Sequence, residues 1–143
     1  MVGPCIMPTR LGSFELKSFS HNIWIPADGQ TGKLTGTRIH HPITFEKEFD
    51  KATPLLYRAL CEGRTLKTAT LKMYHIIESG IEMEYFNITL EDVKITSITP
   101  LLIPTGNVST HLEEIQIRYG TITWLNIDGH IIYKDSWNQR TVA

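Results

Sequence analysis

The sequence has little of what usually announces a membrane, a secretion leader or a catalytic centre. Only Cys5 and Cys61 are cysteines. A chain of 143 residues can bury its own core without covalent staples, so the expectation is two free thiols made in a reducing cytoplasm. No apolar run approaches the ~20 residues that a membrane span needs, so no membrane insertion is expected. The start, Met1–Arg10, has no apolar h-region and is broken by Pro4 and Pro8, which argues against a Sec-type signal peptide. No block of like charge occurs, and 14 basic against 15 acidic residues leave a formal charge of −1. That balance gives no electrostatic case for nucleic acid or an anionic membrane. There is no P-loop, no G-x-G-x-x-G and no G-x-S-x-G elbow.

What is present is strand periodicity. Phe14–Ile25 alternates with a phase shift between Ser18 and Phe19, the mark of a bulge. Pro26–Gly36 is a glycine-rich stretch, long for a hairpin turn, and reads as a functional arm or as an idle exposed loop. Ile43, Phe45, Lys47 and Phe49 alternate with Thr44, Glu46 and Glu48. One helix is predicted over Thr53–Glu62. Thr53 suits its N-cap, Pro54 its first turn and Gly63 its stop, and Leu56, Ala59 and Leu60 share its apolar face. Ala69–His75 and Ile81–Leu90 flank a Glu78-Ser79-Gly80 turn as a hairpin. Val93–Ile98 is a further short strand, and Thr99–Thr110, with Pro100, Pro104 and Gly106-Asn107, is predicted to be a loop. Ile115–Trp124 and His130–Trp137 complete the strands, with Asp128-Gly129 between them. Many short strands and one helix predict a mainly β barrel or sandwich, a single domain over 1–143, with an irregular start at 1–12.

The side chains give weak support to any chemistry. His40 and His41 are adjacent, and neighbours on a strand point to opposite faces, so they do not clasp one metal ion. The other four histidines are isolated, and no metal or other cofactor is expected. Cys61 lies within the helix rather than at its N-terminus, where a thiolate is stabilised. Glu82 and Glu84 share a strand face but lack the facing geometry of a glycosidase pair. Trp124 alternates with apolar partners and reads as core rather than as a sugar platform.

Several stretches in order resemble the Hcp family of type VI secretion. W-I-P-A-D-G-Q-T-G-K-L-T-G-T-R-I-H-H-P-I-T-F, Trp24–Phe45, is similar to the family's strand, glycine-rich loop and R-x-H-x-P. D-K-A-T-P-L-L-Y-R-A-L-C-E-G, Asp50–Gly63, resembles its helix signature. L-K-T-A-T-L-K-M-Y, E-Y-F-N-I-T-L and Y-G-T-I-T-W follow, then Gly129 and Asp135-Ser136-Trp137. The similarity runs over about residues 14–137.

The resemblance implies an Hcp-like β-barrel with one short flanking helix and a ring of six subunits. Rings would stack into a tube driven out of the cell by a contractile sheath, with a spike protein at its tip and small effector proteins in the lumen. The chain would thus be made in the bacterial cytoplasm and secreted without a Sec leader. It would not be an enzyme, and the sequence ending at Ala143 leaves no room for an appended toxin domain. Met1–Gly12 is shorter than the strand and loop with which family members open. By the same resemblance Pro26, Asp28, Gly29, Gly32, Lys33 and Gly36 form a self-assembly loop, while Leu56, Ala59 and Leu60 pack the helix. The alternative is a monomeric β binding module that does not assemble.

Overall fold

The computed structural model describes residues 12–105 and 108–137; the calls on Met1–Leu11, Cys5 and Gly106-Asn107 fall outside these residues. The chain is mostly strand with one short helix, the class expected. It divides into two compact units. One takes the chain up to Ile23, His41–Thr65 and Lys94–Arg118, and the other takes Trp24–His40, Leu66–Val93 and the chain from Tyr119 on.

In the first unit the strands are β1 (Ser18–Ser20), β4 (Ile43–Glu48), the second half of β6 (Glu82–Thr105) and β7 (Val108–Arg118). They pair antiparallel in the order β1, β4, β7, β6. Ile43, Phe45, Ile95, Leu112, Ile115 and Ile117 are buried, as alternation on a half-buried sheet requires. The helix α1 runs Thr53–Cys61 and buries Ala52, Leu56 and Ala59 beside them.

Three expectations are corrected here. Phe14–Ile25 is not one strand but yields β1 and then β2 (Ile23–Trp24). Thr99–Thr110 is not a loop: β6 and β7 pair from Thr99↔Glu114 out to Thr105↔Val108. Pro100 and Pro104 share one parity, so both missing N–H groups fall on the same side and the ladder runs through the alternate residues. Thr53 is the first helical residue, not the N-cap. That place is Ala52, with helical backbone and no side-chain cap. The Thr53 hydroxyl is instead turned back to accept from the Asp50 amide at 3.0 Å, and Asp50 Oδ1 accepts from Ala52 N at 2.8 Å. The other end is as the sequence suggests. Gly63 has φ +64, Gly63 N donates to Leu60 O and Arg64 N to Ala59 O, the paired bonds of a Schellman stop.

In the second unit β5 (Thr65–Ile76) pairs with β6, whose residues Phe86–Glu91 also pair with β8 (Thr121–Asn126), and β8 pairs with β9 (Ile131–Ser136). The turn between β5 and β6 is closed by Gly80 at φ +78. Ile88, Leu90, Val93, Tyr119 and Ile122 are its buried apolar residues. The two strands expected at Ile81–Leu90 and Val93–Ile98 are one strand, β6, carried past Asp92 at φ +55. Gly120 lies against that kink. Its N–H donates to Glu91 O, and a Cβ there would meet Asp92 Cβ at 3.2 Å. Trp124 is half-buried rather than core and stacks beside Tyr133 at 6.1 Å.

Candidate functional site: an arm and its polar base

The arm is the stretch between β2 and β3 (Ile39–His40). It is a hairpin with its own ladder, not an unstructured loop. Ala27 and Leu34 bridge antiparallel, Asp28 N donates to Lys33 O at 2.7 Å, and Thr35 N to Pro26 O at 2.9 Å. Asp28 builds the tip. Its Oδ1 accepts from Gln30 N at 2.8 Å and its carbonyl from Gly32 N at 2.9 Å. Donation from the Gln30 amide, then from Thr31, holds the Asp28 carboxyl below its ordinary value. Gly32, at φ +71, is the glycine that the turn requires. Pro26, Asp28, Gly32 and Lys33 therefore come together in the ladder. Gly29 faces open space, and Gly36 rests on the Pro26 ring, where a Cβ would meet ordinary contact at 3.5 Å.

Every residue from Ala27 to Thr37 is exposed. Leu34 keeps 60% of its surface open, and Trp24, Ile25 and Ile39 are exposed as well. Apolar side chains on an ordered projection are a common mark of a contact surface.

At the base of the arm stand four polar side chains. Arg38 grips Asp135 with two bonds, Nε to Oδ2 at 2.6 Å and Nη2 to Oδ1 at 2.8 Å, and Nη2 also donates to Ser136 O at 3.0 Å. His40 Nε2 meets Asp135 Oδ2 at 2.8 Å, and its Nδ1 meets the Tyr119 hydroxyl. Burial pushes the Asp135 carboxyl up, but Arg38 and His40 outweigh it and hold it below its ordinary value. The Asp135 bond raises the Arg38 guanidinium in turn. Sequence reasoning left Arg38 and Asp135 as pieces of motif; their sign and strand positions were the available signal.

His40 and His41 do point apart. His40 is buried in this cluster, whereas His41 is exposed and lines, with His21, an open hollow of about 450 Å³. Among the described residues no group of three or more His, Cys, Asp or Glu is placed to hold a metal ion. Cys61 is exposed and lies in α1 as expected, at its last position rather than mid-helix. Glu84 accepts a bond from Asn87 at 2.9 Å. Among the helix residues, Leu56 and Ala59 are buried and Leu60 is half-buried.

A second polar cluster lies under the start of α1. Lys47 and Glu113 are opposite each other on β4 and β7, both fully buried and paired. Lys47 Nζ also reaches Asp50 Oδ1 at 3.1 Å, Glu48 O at 3.1 Å and Thr53 Oγ1 at 3.3 Å. Thr53 Oγ1 donates to Glu113 Oε1 at 2.9 Å, while Glu113 Oε2 is buried without a hydrogen-bond partner. This cluster is structural in position, with Lys47 and Glu113 at its centre closed to solvent.

The family model described as "Type VI secretion system effector, Hcp" matches residues 2–125. The chain belongs to the Hcp family. The Major exported protein of Pseudomonas aeruginosa is 35% identical over 126 residues, which span 85% of this chain and 73% of that one. The solved Hcp1 of E. coli EAEC 042 is 45% identical with a TM-score of 0.86, covering 95% of this chain and 89% of its own. Hcp1 of Salmonella typhimurium, at 18% identity, shares the fold with a TM-score of 0.75 over 95% and 88% of the two chains. As an Hcp protein the chain is a structural and export component of type VI secretion, and its exported relative marks secretion as its destination. No helix among the described residues is long and apolar enough to cross a membrane.

Proposed function

We propose that this Hcp protein works as one domain that closes into a six-membered ring, and that rings stack through the Pro26–Gly36 arm into a tube. The tube is loaded with small effector proteins, meets a spike protein at its end and a sheath around it, and is exported from the cell. Its work is assembly rather than catalysis. The observation that carries this reading is the arm itself, an ordered hairpin whose Leu34 keeps 60% of its surface open among the described residues. Burying such a side chain against another copy contributes roughly 1.5–3 kcal/mol. Cyclic closure then lets one pair of different, mutually complementary surfaces serve every subunit.

The test is to replace Asp28–Thr35 with a short Gly-Ser link. The far-UV spectrum and thermal midpoint of the subunit should stay close to the parent's, because the arm buries little. Rings or tubes seen by electron microscopy, and protein recovered in the medium, should fall at least tenfold. Undiminished stacking and export would dismiss the arm. The alternative, a monomeric binding module, predicts a single subunit mass by light scattering at every concentration.

A further inference from the structure

We propose that Asp135 is the positioning residue of the arm: held between Arg38 and His40, it fixes the direction in which the Ala27–Leu34 hairpin projects, and so selects one docking geometry toward a second copy. This rests on reading the arm as an assembly element. The need for such a residue follows from the arm's surface. Ala27–Thr37 are all exposed, so among the described residues apolar packing gives the hairpin little to set its direction. A two-stranded hairpin alone is marginally stable in water and needs a fixed base.

The base has the geometry for that task. Arg38 and His40 are two residues apart, just before and within β3 where the chain leaves the arm, and both bond the same carboxylate. The two parallel bonds of the guanidinium fix an angle, where a single bond would leave a pivot. The third bond, to Ser136 O, adds a backbone point on β9. His40 is braced from its other nitrogen by Tyr119, with the rings edge to face at 5.5 Å. Ser136 is tied in turn to Thr121 on β8 at 3.1 Å. The chain of contacts thus runs from the arm into β9 and β8 and ends on the buried Tyr119. The His40 side chain is 5% exposed, Asp135 13% and Arg38 21%, so water competes poorly for these bonds. A charge pair shielded from water adds little net stability, and in some proteins such pairs instead specify geometry.

The experiment is hydrogen exchange on the full-length Asp135→Asn protein, with assembly measured on the same sample. Asn keeps the shape but cannot accept the charged fork. Amides of Asp28, Gly32 and Thr35 should exchange at least tenfold faster, while those of Ile115 and Ile117 stay at parent rates. Association of subunits should weaken at least tenfold. Asp135→Glu, which restores a carboxylate, should recover part of both, and Arg38→Lys, which loses the fork, should lose both. Parent-like protection of the arm in Asp135→Asn would overturn the proposal. So would equal loss of protection at Ile115 and Ile117, which makes Asp135 a residue of general stability. A loosened arm with undiminished association would show that direction is not selected. If the Gly-Ser replacement itself assembles normally, the assembly reading fails, yet the exchange data still decide whether Asp135 holds the arm.

Discussion

Each unit of the chain contains a cation–carboxylate cluster shielded from water, and these two are built on opposite terms. In the first unit Lys47 and Glu113 face each other across β4 and β7 with no solvent contact, and their neighbours Asp50 and Thr53 are also the residues that start α1. In the second, Arg38 and Asp135 keep a partly open face and carry an arm that is exposed along its length. Taking two charges wholly out of water costs several kcal/mol per ion, and their attraction returns this only when the geometry and the remaining hydrogen bonds are good. The first cluster has those bonds on the lysine side, since Nζ has four oxygen partners and lies 5.1 Å from the Phe14 ring centre. On the carboxylate side it leaves one oxygen bare. A cluster of that kind fixes strand register, because slipping β4 by one residue would strand a charge in the core. The second fixes a projection instead.

The largest effect should come from splitting the buried pair. Lys47→Met leaves Glu113 charged and alone in the core and should cost about 3–5 kcal/mol in denaturant unfolding. Adding Glu113→Leu should recover most of that loss or exceed the parent; a double variant as weak as the single one would mean that the pair itself is a net source of stability. Next in size is the apolar side of the same region. Leu56→Ala, at a site 4% exposed, should cost about 2–5 kcal/mol. A loss below about 0.5 kcal/mol, the surface range, would mean that the helix face is not held by packing.

The smallest and most pH-dependent effect belongs to Asp135. Its folded-state pKa lies below the ordinary value of 3.8, so folding favours the ionised form. The stability it contributes is whole above that value and is lost as pH falls through the lower, folded-state value. The gap in thermal midpoint between parent and Asp135→Asn should therefore be constant near neutrality and close progressively below about pH 4. A gap that widens on acidification would reverse the assigned direction.

How far such features can be seen in the sequence depends on whether the signal is local. Pro54 and Gly63 mark the helix ends because each acts on its own backbone. Glu78-Ser79-Gly80 marks its turn for the same reason. The same local logic fails over Thr99–Thr110, where proline and glycine suggest a loop but pairing partners restore the strands. The Thr53 hydroxyl is a plausible cap that a buried carboxylate sixty residues away has recruited for another purpose. Lys47 had a readable sign, a charge in phase with Ile43 and Phe45, as did Glu113 in phase with Ile115 and Ile117. Only the register shows that the two charges meet. The arm's place was legible from its glycines and flanking strands. Its internal ladder was not, because Asp28 makes a turn by accepting two backbone bonds, and no periodicity encodes that.

The pairing of Ile43 with Ile117 has a consequence in time. β4 is synthesised early, and apart from the three residues of β1 its partner is about half a chain away. Strands joined over such separations fold slowly, since loop entropy is lost before any contact repays it. Until β7 arrives, β4 shows Ile43, Phe45 and a Lys47 without its Glu113 partner to whatever is near, on an edge open to other chains. A chain that closes its sheet this late leaves that edge exposed for most of its synthesis, so the speed of one pairing matters beside the firmness of the closed sheet.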